Sequence, residues 1–138
     1  MKSSLPLLLL AYLVCVPVTL AEHMPATNQV DANGIRATYD VCINAAATAF
    51  TATQKCIENE YDYQDARLNR VYKKLMKQLS SPERSKLRIE ERKWITYRDQ
   101  QCSTNDDDSQ GYRLASNDCS LEQTAKRATM LEARLSGK

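Results

Sequence analysis

Between Cys56 and Cys102, apolar, polar and sulfur-bearing residues recur at helical spacing on both sides of one turn signal, Ser80-Ser81-Pro82. Tyr61, Leu68, Tyr72, Leu75 and Leu79 fall at steps of seven, four, three and four, which is one apolar stripe of a helix. After the turn, Ser81 caps a second helix, with Pro82 at its first position and Glu83 in its first turn, where the dipole favours an acid. Leu87, Trp94 and Ile95 are its expected buried side. Two helices, from about Thr53 to Leu79 and from Ser81 to about Gln101, therefore predict an antiparallel hairpin.

The first residues stand outside that fold. Lys2 precedes an apolar run from Leu5 to Leu20, and Thr19-Leu20-Ala21 offers small residues for a signal peptidase. A run of 16 residues broken by Pro6 and Pro17 is shorter than the roughly 20 needed to span a bilayer. Residues 1–21 read as a cleaved signal peptide, which leaves no stable membrane span and implies a periplasmic or secreted protein. A lipid anchor on Cys15 is disfavoured because Val14 stands where a small residue is needed.

Export decides the cysteine arithmetic. Removal of the signal leaves Cys42, Cys56, Cys102 and Cys119, an even number that reads as two disulfides. The intervening stretches of 13, 45 and 16 residues hold no close pair of the kind a zinc module uses, so no metal is expected. Folding the hairpin about residue 81 brings Cys56 and Cys102 to its open end, and Cys42 and Cys119 follow them there. This favours Cys56–Cys102 with Cys42–Cys119, with swapped pairing as the alternative, since sequence alone does not fix connectivity.

The rest of the chain fills in around this clamp. Residues 22–39 are a polar arm expected to be flexible, and 40–138 form the helical domain. A first short helix begins near Asp40 and runs through the alanines at 45 to 47. A polar loop from Ser103 to Asn117 carries Asp106-Asp107-Asp108 and Gly111; Ser120 and Gln123 then resemble a capping box opening a last helix. With three glycines and no strand-like alternation, the expected class is all-α: a disulfide-clamped antiparallel hairpin with one or two shorter helices.

Charge narrows the function. The formal net charge is only +2, with Lys and Arg interspersed among Asp and Glu, so a nucleic-acid partner is not expected. His23 is the only histidine and lies in the arm, which leaves no histidine base in the core. No glycine-rich phosphate cradle is present, and no cofactor is expected. The acidic triplet with Gly111 lacks the glutamate that closes a calcium loop, Asn117 standing in its place. Within the hairpin, Asp65, Glu91 and Arg98 fall on facing sides, with Asn69 and Tyr72 near them. Paired, they form a polar seam that fixes helix register; a ligand-binding or catalytic use is the less favoured alternative.

These residues also carry a resemblance. Cys56, Tyr61, Asp65, Leu68-Asn69, Tyr72, Leu75, Leu79, Leu87, Arg92, Trp94-Ile95, Tyr97-Arg98-Asp99 and Cys102 resemble, in order and spacing, the N-terminal domain of the LprI-like lysozyme inhibitor family. Cys119, Thr124, Arg127 and Leu131 resemble the end of that pattern, so the likeness covers about Cys42 to Leu135. Glu90-Glu91 departs from the Ala-Gln usual before the arginine, and the lipoprotein cysteine of the name-giving member is missing. The resemblance implies a small, exported, helical protein of the bacterial envelope.

It further implies a non-enzymatic inhibitor that binds and blocks lysozyme or another cell-wall hydrolase. The loop is the expected binding element: Asp106, Asp107 and Asp108 would steer a cationic partner, and Tyr112 or Arg113 would enter its cleft. The alternative is an envelope interaction or immunity module that binds another periplasmic partner and does not inhibit lysozyme.

Overall fold

The computed structural model describes residues 29–103 and 109–137. The signal segment, His23 and Asp106 to Asp108 lie outside the described residues. Four helices follow in order: α1 (Ala37–Ala46), α2 (Phe50–Gln78), α3 (Ser81–Gln101) and α4 (Gln110–Leu135). The expected all-α class is therefore observed, with one isolated bridge, Val30 to Arg36, ahead of α1.

The α2–α3 turn falls where Ser80-Ser81-Pro82 places it, with the cap one residue earlier than expected. Ser80, not Ser81, precedes the helix, and its backbone N–H and hydroxyl both donate to the Glu83 carboxylate, at 2.8 and 2.6 Å. Those bonds hold the Glu83 carboxyl below its ordinary range, the hydroxyl contributing most.

The core lies between α2 and α4, and α3 is not the main partner of α2. Leu68, Val71 and Leu75 of α2 pack with Ala128 and Leu131 of α4, and Leu87 of α3 closes the cluster. Burying each of the larger side chains is worth about 1.5–3 kcal/mol. The α4 face is built from Leu121, Thr124, Ala125, Ala128 and Leu131; its small residues let the α4 backbone come close to α2. The buried Thr124 hydroxyl donates to the Ser120 carbonyl at 2.7 Å, so it costs little there.

Pairings along α2 and α4 rise together. Ile57 and Glu58 share a cleft with Asn117 and Ser120, while Arg67 bonds Thr129 and Glu132. The two helices are thus parallel, and α3 returns the chain between them. It runs antiparallel to α4, tied by Arg127–Glu91 and Arg134–Glu90. Ile95 is exposed rather than buried, and Leu87 is the only fully buried side chain of α3.

The disulfides correct the favoured pairing. Cys42 bonds Cys56 and Cys102 bonds Cys119, with Cα separations of 5.7 and 5.5 Å. Both bridges are local. The turn at Ala47–Ala49 folds α1 back along α2 and lays Cys42 beside Cys56. Likewise α4 begins at Gln110 rather than Ser120, so Cys119 already lies within a helix that passes Cys102. Each loop of about 15 residues is worth roughly 3 kcal/mol against the unfolded chain.

The arm expected to run free to residue 39 is anchored from Gln29 on. The Asp31 carboxylate accepts the Asn33 and Ile35 amides, both at 2.8 Å, and Gly34 turns the chain at a φ of 85°. Only glycine fits there: a β-carbon would overlap the Arg67 guanidinium. Farther along, α1 is tied to α4 by the Tyr39 hydroxyl, which donates to Asp118 at 2.5 Å. Burial first, and then that bond, raise the phenol above its ordinary pKa.

Candidate functional site

The expected polar seam of the hairpin is an open groove. Because α2 rests on α4, α3 stands away from α2 along most of its length, and a cleft of about 540 Å³ lies between them. Its α2 wall is Tyr61, Asp65, Leu68, Asn69 and Tyr72. Arg88, Glu91, Arg92, Trp94, Ile95 and Arg98 form the α3 wall. The i, i+3, i+4 and i+7 spacing that would have zipped two helices together here aims the side chains into a shared trough.

The ion pairs differ from expectation accordingly. Asp65 does not meet Arg98; its carboxylate accepts the Asn69 side-chain amide at 2.8 Å, within its own helix. Arg98 spends its guanidinium on Asp99, at 2.9 and 2.7 Å, and on the Tyr61 hydroxyl at 3.3 Å. Glu91 turns away from α2 and accepts Arg127 of α4 at 3.0 Å from Nε. The Arg98 and Arg127 guanidiniums lie 5.3 and 5.9 Å from the Trp94 ring centroid, close enough for cation–π attraction. Trp94 also packs against the core and so fixes the trough floor.

The remaining motif residues fall around this trough. Leu68 is buried at its base and Tyr72 is half-buried. Arg92 lies on the rim and is exposed. Tyr97, half exposed, is on the outer side of α3, and Asp99 serves Arg98. Arg88 and Arg92 meet no carboxylate among the described residues.

Of the proposed loop, Tyr112 and Arg113 belong to the first turns of α4. Tyr112 is 54% exposed, beside the Cys102–Cys119 bridge. Arg113 lies over the Phe50 ring at 5.5 Å, which ties the start of α4 to the start of α2.

A second polar cluster, on the far face of α2, went unread in the sequence. Glu60 and Gln64 are almost wholly buried. Glu60 accepts Arg36 at 2.8 Å, and Gln64 donates to the Gly34 carbonyl at 2.6 Å. Arg67 joins Asn33, Gln64, Thr129 and Glu132. Every buried side-chain polar atom among the described residues is hydrogen-bonded, so this cluster anchors the arm and leaves no group aimed at a ligand. The signal was present in the sequence: Ile57, Glu60, Gln64, Leu68, Val71 and Leu75 form a stripe with steps of three or four, disguised by its two polar members.

Among the described residues no cluster of metal-ligating side chains occurs, and no helix is long and apolar enough to cross a membrane. No curated protein and no solved structure matches the chain. The family model described as Lysozyme inhibitor LprI matches residues 42–131, from the first disulfide cysteine to the Leu131 core contact on α4, and the chain belongs to that family.

Proposed function

We propose that this protein is an exported, non-catalytic inhibitor that binds a cell-wall glycoside hydrolase and blocks its cleft. Membership of the Lysozyme inhibitor LprI family over residues 42–131 carries this reading. Two disulfides support the exported location, since such bonds persist in oxidising compartments. Together with the α2–α4 core they give a rigid body, which lowers the ordering cost of binding.

The contact surface in this reading is the end of the molecule that holds the Cys102–Cys119 bridge. Tyr112 projects there, an aromatic anchor of the kind that dominates interfaces. In the sequence Asp106 to Asp108 fall between α3 and α4, and in this reading they supply negative charge for steering a cationic enzyme. Arg113, exposed beside Tyr112 and lying over the Phe50 ring, is the other candidate to enter the enzyme's cleft.

The test is a titration of the oxidised, exported protein against lysozyme at two salt concentrations. Inhibition that weakens at high salt, and weakens again in Tyr112→Ala, supports the reading. No inhibition at low salt removes it and favours an envelope interaction module with another partner.

A further inference from the structure

We infer that the α2–α3 groove is a binding site for an oligosaccharide bearing carboxylate groups. It is separate from the Tyr112 end, and the inference does not rest on the inhibitor reading. The Arg98–Tyr61 hydrogen bond crosses the groove at one end, and the cleft beyond it, lined by Ile57, Glu58 and Asp62 of α2 and by Asn117 and Ser120 of α4, is not part of the site. The groove follows α2 from Tyr61 to Tyr72, about 16 Å at a helical rise of 1.5 Å per residue. That is a trough for an elongated ligand, and its volume is that of a small-molecule site.

The lining selects among elongated ligands. A peptide that adds a strand needs a sheet edge, and no strand is present among the described residues. An amphipathic helix needs a row of apolar sockets, whereas only Leu68 and Ile95 are aliphatic along the main trough. What the trough offers is flat rings and paired polar groups. Tyr61 and Tyr72 are each partly accessible and supply faces on which the C–H side of a sugar ring can stack, while Trp94, held by the core and by Arg98 and Arg127, forms the floor beneath them. The Asp65–Asn69 pair presents both an acceptor and a donor to hydroxyl or acetamido groups.

Charge narrows the sugar. Arg88 and Arg92 lie one helical turn apart on the same wall with no carboxylate partner among the described residues. Arg98 and Glu91 are neutralised by Asp99 and Arg127, so the free charges of the trough are two arginines against Asp65. Guanidinium groups bind carboxylates through two parallel hydrogen bonds. A glycan with a carboxylate on alternate rings supplies that partner, while Asp65 disfavours a uniformly acidic peptide.

The experiment is calorimetry of the oxidised protein, with no enzyme present, against two probes. One is a tetrasaccharide alternating N-acetylglucosamine and N-acetylmuramic acid; the other is the tetramer of N-acetylglucosamine, which lacks the lactyl carboxylates. The expected result is saturable binding of the first, at least about ten-fold tighter than the second. It should be accompanied by a change in Trp94 fluorescence. The exposed double variant Arg88→Ala/Arg92→Ala should lose about the same factor with an unchanged circular dichroism spectrum. Asn69→Ala should weaken both probes. Equal binding of the two probes, no saturation, or tighter binding of hexaglutamate than of either saccharide overturns the inference. Enzyme inhibition is read in a separate assay, so either proposal can fail while the other stands.

Discussion

Arg98 donates to the Tyr61 hydroxyl at 3.3 Å across the groove, the only side-chain hydrogen bond between α2 and α3 among the described residues. It bridges two helices that are held apart by their common attachment to α4. Tyr61→Phe removes a long, partly solvated bond and should cost less than about 1 kcal/mol. Arg98→Ala also removes the contacts to Asp99 and the Trp94 ring, and should cost about 1–2 kcal/mol. Urea denaturation of the two variants beside the parent gives both values; equal losses would show that the Trp94 contact contributes nothing.

Arg67 anchors the arm. Its guanidinium meets Asn33, Gln64, Thr129 and Glu132 and fills the space that Gly34 leaves open. Arg67→Ala should destabilise the fold by about 2–3 kcal/mol, because partly buried partners lose their donor. Hydrogen exchange should show the Asp31, Gly34 and Ala37 amides, bonded within the turn, losing protection well before those of α2. Unchanged protection would mean that Arg36–Glu60 alone holds the turn.

The Ser80–Glu83 cap gives a pH dependence with a definite sign. Glu83 is held below its ordinary value of 4.5 by the Ser80 hydroxyl and then by the Ser80 amide. A carboxyl whose folded pKa is depressed contributes stability that is fully present above its unfolded pKa and is lost as the pH falls through the folded one. The fold should therefore lose stability below about pH 4.5, and Glu83→Gln should lack that part of the loss. Thermal melts from pH 6 to pH 3 on both proteins measure it; parallel curves would contradict the cap.

Much of this arrangement was readable from residue type and spacing. The turn at Ser80-Ser81-Pro82, the length of the two long helices and the family pattern all follow from local signals. What was not readable is which helix α2 packs against. The stripe through Tyr61, Tyr72 and Leu79 lies one position away from the most buried one, because Glu60 and Gln64 look like surface residues until Arg36, Gly34 and Arg67 are placed around them. The α4 face depends on Ala125, Ala128 and Thr124, whose value is close approach rather than hydropathy. Its first turns, around Gly111 and Ser116-Asn117-Asp118, have loop-like composition. They are held as helix by the Cys102–Cys119 bridge, the Ser116–Cys102 hydrogen bond at 2.6 Å and the Tyr39–Asp118 bond. Tertiary contacts thus override local preference there. The open groove is a consequence of the same choice of partner.

Disulfide mapping tests that choice most directly, since a bridge between α2 and α3 would draw the trough closed. Trypsin places the four cysteines on separate peptides, ending at Lys55, Arg67, Arg113 and Lys126. Mass spectrometry of an unreduced digest should find the first joined to the second and the third joined to the fourth, as Cys42–Cys56 and Cys102–Cys119 require. A Cys56–Cys102 crosslink would contradict the open α2–α3 groove on which the ligand site depends.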